Sequence, residues 1–448
     1  MLLQRLIQPD VAGGLASDAI RLMTEMFPIC RSLTGNGVRR TLDLIAERIP
    51  LERFEVGTGT PVFDWFVPPE WSIDEAFIAD QHGRHVVDFR DHNLHLVSYS
   101  EPIDRTMSLE ELNGHLHSLP EHPDWIPYRT SYYKRNWGFC MRHRDRVRLE
   151  AGPYRVVIRS TLESGSLSYA ECIVPGSVPG QAIVYSHSCH PSLANDNLTG
   201  ISVATLIAQA LLKEQPRLTW RFVFGPGTIG SLTWLARNES VLPAVRAGLS
   251  LGLLGSSHPL TFKRSRRGDT LVDRAGHFLL SSLSTQNRVI DFEPYGYDER
   301  QFCSPGFDLP VGRLTRAIQG EYPEYHTSAD DLSLISVDSL AGSIIALAGL
   351  IAIVDSSRRL ISLSPKGEPQ LGRRGLYASL GGGRMIGQSE RALLWVMSLS
   401  DGAHDVLAIA EKSKLDYESV LEAAEALERA GLVRTLPEPN RELPLFPA

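Results

Sequence analysis

Residues Ala182–Phe224, AIVYSHSCHPSLANDNLTGISVATLIAQALLKEQPRLTWRFVF, decide the architecture. Two apolar runs of strand length, Ala182–Ser186 and Thr219–Phe224, bracket an apolar helical segment, Gly200–Leu212. Strand, helix, strand at this spacing is a βαβ unit, which requires a partly parallel sheet with helices on its faces. The polar stretch Ser186–Gly200 begins where the first strand ends and finishes where the helix starts. In open α/β sheets, ligands bind in the crevice beyond the carboxyl ends of the strands. His187, Cys189, His190 and Asp196 all fall at that edge. Neutral imidazole and carboxylate are ordinary ligands of a catalytic zinc, which keeps one position open for water. A structural turn, with Asn195 or Asp196 capping the helix, accounts for the same residues without a metal.

Outward from this unit, Ala247–Leu254 reads as a further strand and 338–355 as a long closing helix. The apolar run within it, Leu340–Val354, falls short of the roughly 20 residues that span a bilayer, so it reads as a buried helix. Tyr154–Arg159 (YRVVIR) reads as another strand of this domain, and residues 15–48 as mostly helical. From 61 to 128 short alternating runs such as HVVDF and NLHLVSY, bounded by polar turns, indicate a small β-rich unit. Residues 361–387 are rich in Gly, Pro, Ser and Arg and read as a linker. Three short helical patterns follow, then Gly-Leu-Val-Arg, the outline of a winged helix over 388–448. The expected organisation is a discontinuous α/β domain (1–60 and 129–360) with a mixed sheet, a β-rich insertion, a linker and a C-terminal winged helix.

The net charge of −7 argues against nucleic acid or an anionic membrane as the main partner. The winged-helix segment sharpens this. Between 388 and 436 five basic residues face nine acidic ones, the wrong balance for neutralising phosphates. A small-molecule or peptide-like substrate is expected, with a homo-oligomer left open. The five cysteines are scattered and odd in number, which fits a reducing, cytoplasmic setting, and no signal-peptide pattern opens the sequence.

Other polar clusters are weaker taken singly. In Glu321–Asp331 (EYPEYHTSADD), His326 sits in a loop and Ser328, Asp330 and Asp331 resemble a helix N-cap. Tyr297–Gln301 (YDERQ) leads into CSPGFDLPVG. The basic run Lys263–Arg267, with Arg264, suits a carboxylate or phosphate, or a solvated loop. Cys189 beside His187 or His190 raises a thiol nucleophile, with a packed thiol the plainer reading. Tyr132, Tyr133 and Trp137 suit a pocket wall or a core.

In their order, SHSCHPSLANDNLTG, YDERQFCSPGFDLPVG and EYPEYHTSADDLSLI resemble a bacterial aminopeptidase-like family related to the M28 zinc peptidases. PICRSLTGNGVRRTL, IPYRTSYYKRNWGFC, KRSRRGDTLVDR and EPQLGRRGLY extend the resemblance over nearly the whole chain. It implies an M28-like α/β domain, the insertion and the winged helix, with zinc as cofactor. Residue by residue, it implies metal-binding roles for His187, with His190 as a rival, Asp196 and His326, and a supporting role for Asp298. Arg300, Tyr325 and Arg264 are the expected substrate-binding residues.

The chain also departs from that family. After TWRFVF it reads GPGTIGS, so Gly227 stands where M28 peptidases place a catalytic glutamate. Near LGLLGSS, where those enzymes have an aspartate ligand, Gly252 and Ser256 are not acidic. A zinc-bound water attacks a carbonyl only after a base takes its proton, and a positioned base contributes about 10²–10⁴-fold. One zinc held by His187 or His190, Asp196 and His326, with Glu299, Glu321 or Glu324 as substitute base, is the expected remnant. The expected function is a metal-dependent hydrolase of an amide or acyl bond in an amino-acid or peptide-like substrate. The alternative is a catalytically degenerate relative that binds a ligand or partner.

Overall fold

Eight strands form one mixed sheet in a computed structural model that describes residues 6, 8–318, 321–376, 387–437 and 444. They are β1 (Glu52–Gly57), β2 (Ser166–Val174), β3 (Gln181–His187), β4 (Thr219–Gly225), β5 (Val245–Leu251), β6 (Thr261–Lys263), β7 (Arg288–Ile290) and β8 (Val311–Thr315). Their spatial order is β1-β2-β4-β3-β5-β8-β6-β7. The four middle strands, β4, β3, β5 and β8, run parallel. Their side chains are buried on both faces, which is why they read as continuous apolar runs in the sequence. β1 and β2 add an antiparallel edge.

One face is covered by α1 (Pro9–Met26), α2 (Asn36–Ala46), α3 (Thr199–Leu211), α5 (Leu271–Leu283) and α6 (Val337–Ser356), which share a core with the sheet. α4 (Ile229–Arg237) lies on the other face. α6 is 20 residues long, longer than the run read from sequence, and is apolar enough to cross a membrane. It packs against α1, α3 and α5 instead.

The second face carries the insertion, and here the expected boundary at 128 moves. Pro153–Glu163, which contains YRVVIR, pairs with Glu70–Ala79 and Ile103–Ser108, and His85–Asp88 completes that four-stranded antiparallel sheet. The sequence places this run in the α/β sheet, but its length and apolarity suit either sheet. Partner choice is a long-range property that alternation does not encode. The insertion sheet shares its core with the main one, through Trp71, Ile78 and Val156 on one side and Tyr169, Ile183 and Val223 on the other.

The expected linker also shortens. Arg359–Ser362 pairs with both Asp401–Asp405 and Val433–Thr435, so the strand before the glycine-rich stretch belongs to the C-terminal unit. Helices Gln388–Leu399, Val406–Ser413 and Tyr417–Arg429 complete a winged helix around its own core. Residues 377–386, including the LGGGR of the linker, and most of 438–448 lie outside the described residues. The unit docks on the α/β domain: Arg274 of α5 pairs with Asp405 and, at 2.9 Å, with Glu411. The Tyr417 hydroxyl lies 2.9 Å from that of Ser356.

Candidate active site

The parallel strands end on one edge. His187 is the last residue of β3, level with Gly225 of β4 and one step beyond Leu251 of β5. From there the chain loops through 188–198 into α3. Asp330 shapes that loop: the amides of Asn195 and Asp196 donate to its carboxylate at 2.5 and 3.0 Å. Asp330 therefore does not cap a helix, as the sequence suggests. Asp331 and Ser336 do the capping downstream. Nor does Asp196 cap α3, because the Gly200 amide goes to the Asn197 side chain at 3.2 Å.

The Asp196 carboxylate faces three histidines. His187 Nε2 lies 2.8 Å from Oδ1, and His326 Nε2 lies 3.0 Å from Oδ2. His190 Nδ1 sits 3.3 Å from Oδ2 but is buried without a hydrogen-bonding partner. Ligand atoms of His187, His190 and Asp196 all lie within 4.8 Å of one another. Imidazoles converging on one carboxylate, with an orphaned buried nitrogen among them, are a donor set that fits zinc.

The electrostatics separate the three imidazoles and favour His187 and His326 as the donors. Burial pushes His187 down to about 4 and also lowers His326, so both present neutral imidazole. Burial pulls His190 the same way, but the Asp196 charge outweighs it and raises it well above the ordinary range. Burial opposes ionisation of Asp196 as well, yet His190 and the hydrogen bonds hold it well below its usual value.

His326 adopts a left-handed φ of 56°, an unusual conformation for a side-chain-bearing residue. Its carbonyl accepts from the Tyr128 amide at 2.8 Å, and Ser328 donates to Ile126 at 2.8 Å. The Ile126–Tyr128 stretch of the insertion is thus paired, backbone to backbone, with the loop that bears His326.

Residues 20–357 match a family profile described as a domain of unknown function, DUF4910. A Clostridium acetobutylicum protein named as a candidate polysaccharide biosynthesis protein with an aminopeptidase-like domain is 45% identical over 92% of this chain and 95% of its own. The chain belongs to the DUF4910 family. A second match, to 358–435, is a winged helix-turn-helix. A solved candidate peptidase from Clostridium acetobutylicum is 42% identical, with a TM-score of 0.90 over 97% of this chain and 99% of its own. A zinc aminopeptidase from Bacillus subtilis shares the fold at 13% identity, with a TM-score of 0.56 over 75% of this chain and 94% of its own. The DUF4910 domain therefore has the M28 zinc-peptidase fold.

Within this DUF4910 domain, Gly227 opens the turn into α4. A Cβ built there would lie 1.8 Å from the Tyr297 hydroxyl. The phenol thus occupies the space into which a glutamate at 227 would project. Its hydroxyl is 3.3 Å from His190 Nε2, and its ring lies 4.2 Å, centre to centre, from that of His187. Burial raises it well above the usual phenol range, so it remains an O–H donor. Sequence reading missed Tyr297. The only signal was a glycine at 227 together with a tyrosine beside Asp298, and nothing in the sequence links positions 70 residues apart.

The other expected residues divide. One Asp298 oxygen accepts from the Thr228 amide at 2.9 Å and from Ser231 at 2.7 Å. Its second oxygen, without a hydrogen-bonding partner, lies 3.9 Å from His187 Nδ1, and burial pushes the group up to about 7. Glu299 is not the free base that the sequence suggests. Although burial opposes its charge, Arg313 and Lys263 keep its carboxyl below the usual range, and it holds Lys263 at 3.0 Å and the Tyr297 amide. It is an ion pair that fixes Tyr297, and its carboxylate is already committed. Arg300 lines a cleft of about 550 Å³ beside His190 and His326. Tyr325 does not line this cleft. It stacks on His326 with ring centres 3.9 Å apart and so braces that imidazole.

Arg264 also lies off the cleft, with one nitrogen 3.3 Å from the Gly268 carbonyl. Its loop is folded onto Asp273, which accepts from Ser265 and Thr270. Cys189 accepts from the Gly227 amide at 3.2 Å. Burial pushes the Cys303 thiol up to about 11, and it donates to the Val311 carbonyl at 3.2 Å, a packed structural thiol. Gly252 lies against His187, where a Cβ would be 3.6 Å from the ring, and Ser256 bonds His258 at 3.1 Å. Neither brings a carboxylate to the edge. Glu321 pairs with Arg288 at 2.8 Å. Neither Glu321 nor Glu324 lines the cleft.

Proposed function

We propose that this DUF4910 protein is a metal-dependent, M28-like hydrolase of an amide or acyl bond in an amino-acid or peptide-like substrate. The observation that carries this reading is the convergence of His187, His190 and His326 on the single carboxylate of Asp196. His187, Asp196 and His326 would hold one zinc ion, with His190 alongside. Zinc so bound polarises a carbonyl and lowers the pKa of a coordinated water. Asn197, 3.2 Å from His187 Nδ1, would keep the imidazole oriented, with Asp298 standing behind it at 3.9 Å. His190, which Asp196 keeps protonated, and the Tyr297 phenol would both donate to oxygen that gains charge. The name of the 45% identical relative supports a role for this hydrolysis in polysaccharide assembly.

Mass spectrometry of untagged protein tests the metal centre. About one zinc per chain is expected in the wild type and loss of it in His326→Ala. No zinc in either protein, even after zinc is supplied, would favour the second reading, a binding protein built on a peptidase fold. The specific observation behind that reading is the Tyr297 ring filling the glutamate's place.

The winged helix serves protein contact in this proposal. Its helix Tyr417–Arg429 is acidic, and its first residue already touches Ser356 of the α/β domain. No mobility shift of duplex DNA is expected at physiological salt, and a clear shift there would overturn the assignment.

A further inference from the structure

The cleft that opens onto His190 and His326 has a one-sided charge pattern. Among the described residues, the charged side chains in its wall besides the histidines are Arg129 and Arg300, and no carboxylate lines it. Among the described residues neither arginine is in an ion pair, and Arg300 Nε is buried with no hydrogen-bonding partner. The acids adjoining Arg300 in sequence point elsewhere, Asp298 to Thr228 and Ser231, Glu299 to Lys263. Asp196 is taken up by the histidines, and Asp330 by the amides of Asn195 and Asp196.

An aminopeptidase must receive a free α-ammonium group beside the bond it cuts. Here that cation would be desolvated next to a guanidinium, with no anion to compensate it. A carboxylate or phosphate would meet the opposite situation, since a guanidinium fork offers charge-assisted hydrogen bonds that nothing else in the cleft uses. The outer wall adds Trp65 and Tyr133, 47% and 40% exposed and in edge contact, a broad face for the body of a ligand.

We infer that the substrate presents an anionic group to Arg300 and carries no free α-ammonium beside the scissile bond. This rests on the hydrolase reading above and narrows it: the fold is that of an aminopeptidase, while the substrate is an acidic, N-blocked amide.

Binding is measured by calorimetry with three probes: N-acetylglucosamine 1-phosphate, N-acetylglutamate and leucinamide. At least one of the two anions should bind the wild type, and leucinamide should bind at least tenfold more weakly. The preferred anion identifies phosphate or carboxylate as the recognised group. Its affinity should fall at least tenfold in Arg300→Gln and largely return in Arg300→Lys, with unchanged melting temperatures confirming that both variants fold. Tighter binding of leucinamide, no binding of either anion, or anion binding lost in His326→Ala but kept in Arg300→Gln would overturn the inference. Acetate release from the two anions is followed in parallel. Binding that tracks Arg300 without any acetate release leaves this inference standing and counts against the hydrolase reading.

Discussion

Asp196→Ala should leave the protein without zinc and without measurable amide hydrolysis. The carboxylate is the one group that all three histidines face, so its removal takes away a ligand and the element that gathers the others. Losing a metal's stabilisation of transition-state charge is worth several kcal/mol, on the order of 10³-fold in rate or more. Folding should suffer too. His190 is buried and held charged by this carboxylate, and breaking a buried ion pair costs about 3–5 kcal/mol. Asp196→Asn keeps the shape, so it should retain more stability than the alanine variant while still losing metal affinity. Metal analysis and denaturant melts of both variants provide the check. Full zinc content and full activity in Asp196→Ala would end the metal-centre proposal.

Gly227→Glu, the substitution that restores the residue found in M28 peptidases, should destabilise the chain. The Cβ alone would sit 1.8 Å from the Tyr297 hydroxyl, inside any van der Waals contact. The ring has little freedom to move, because the Tyr297 amide is tied to Glu299 and Glu299 to Lys263. Overpacking a filled site typically costs about 1–3 kcal/mol, and the upper end is expected here. Adding Tyr297→Ala should open the space, so the double variant should be more stable than the sum of the two single changes requires. Urea unfolding of all four proteins gives the cycle. A wild-type midpoint for Gly227→Glu alone would show that Tyr297 does not own this space.

Much of the site was legible because local chemistry and sheet topology coincide in one segment. His187, His190 and Asp196 lie within ten residues at the end of a buried strand, where an open α/β sheet binds ligands. His326 entered through motif order, since a lone loop histidine has no signature of its own. What was not legible is what depends on distant partners. Glu299 looks like a free acid beside Asp298 until Lys263, 36 positions earlier, is seen to neutralise it. Asp330 resembles a helix cap because acids before helices usually are, yet two amides 134 and 135 positions away claim it. YRVVIR shows the same limit in the fold: strand character is local, sheet membership is not.

The pairing of Ile126–Tyr128 with His326–Ser328 bears on how separable this protein's parts are. An inserted domain joined only at its two connections can be swapped, enlarged or dropped without disturbing its host. Here the host's farthest-downstream metal-ligand candidate is held in its left-handed conformation by hydrogen bonds from the guest. The insertion is thus part of the scaffold of the histidine loop, and removing it would free His326 along with its own residues.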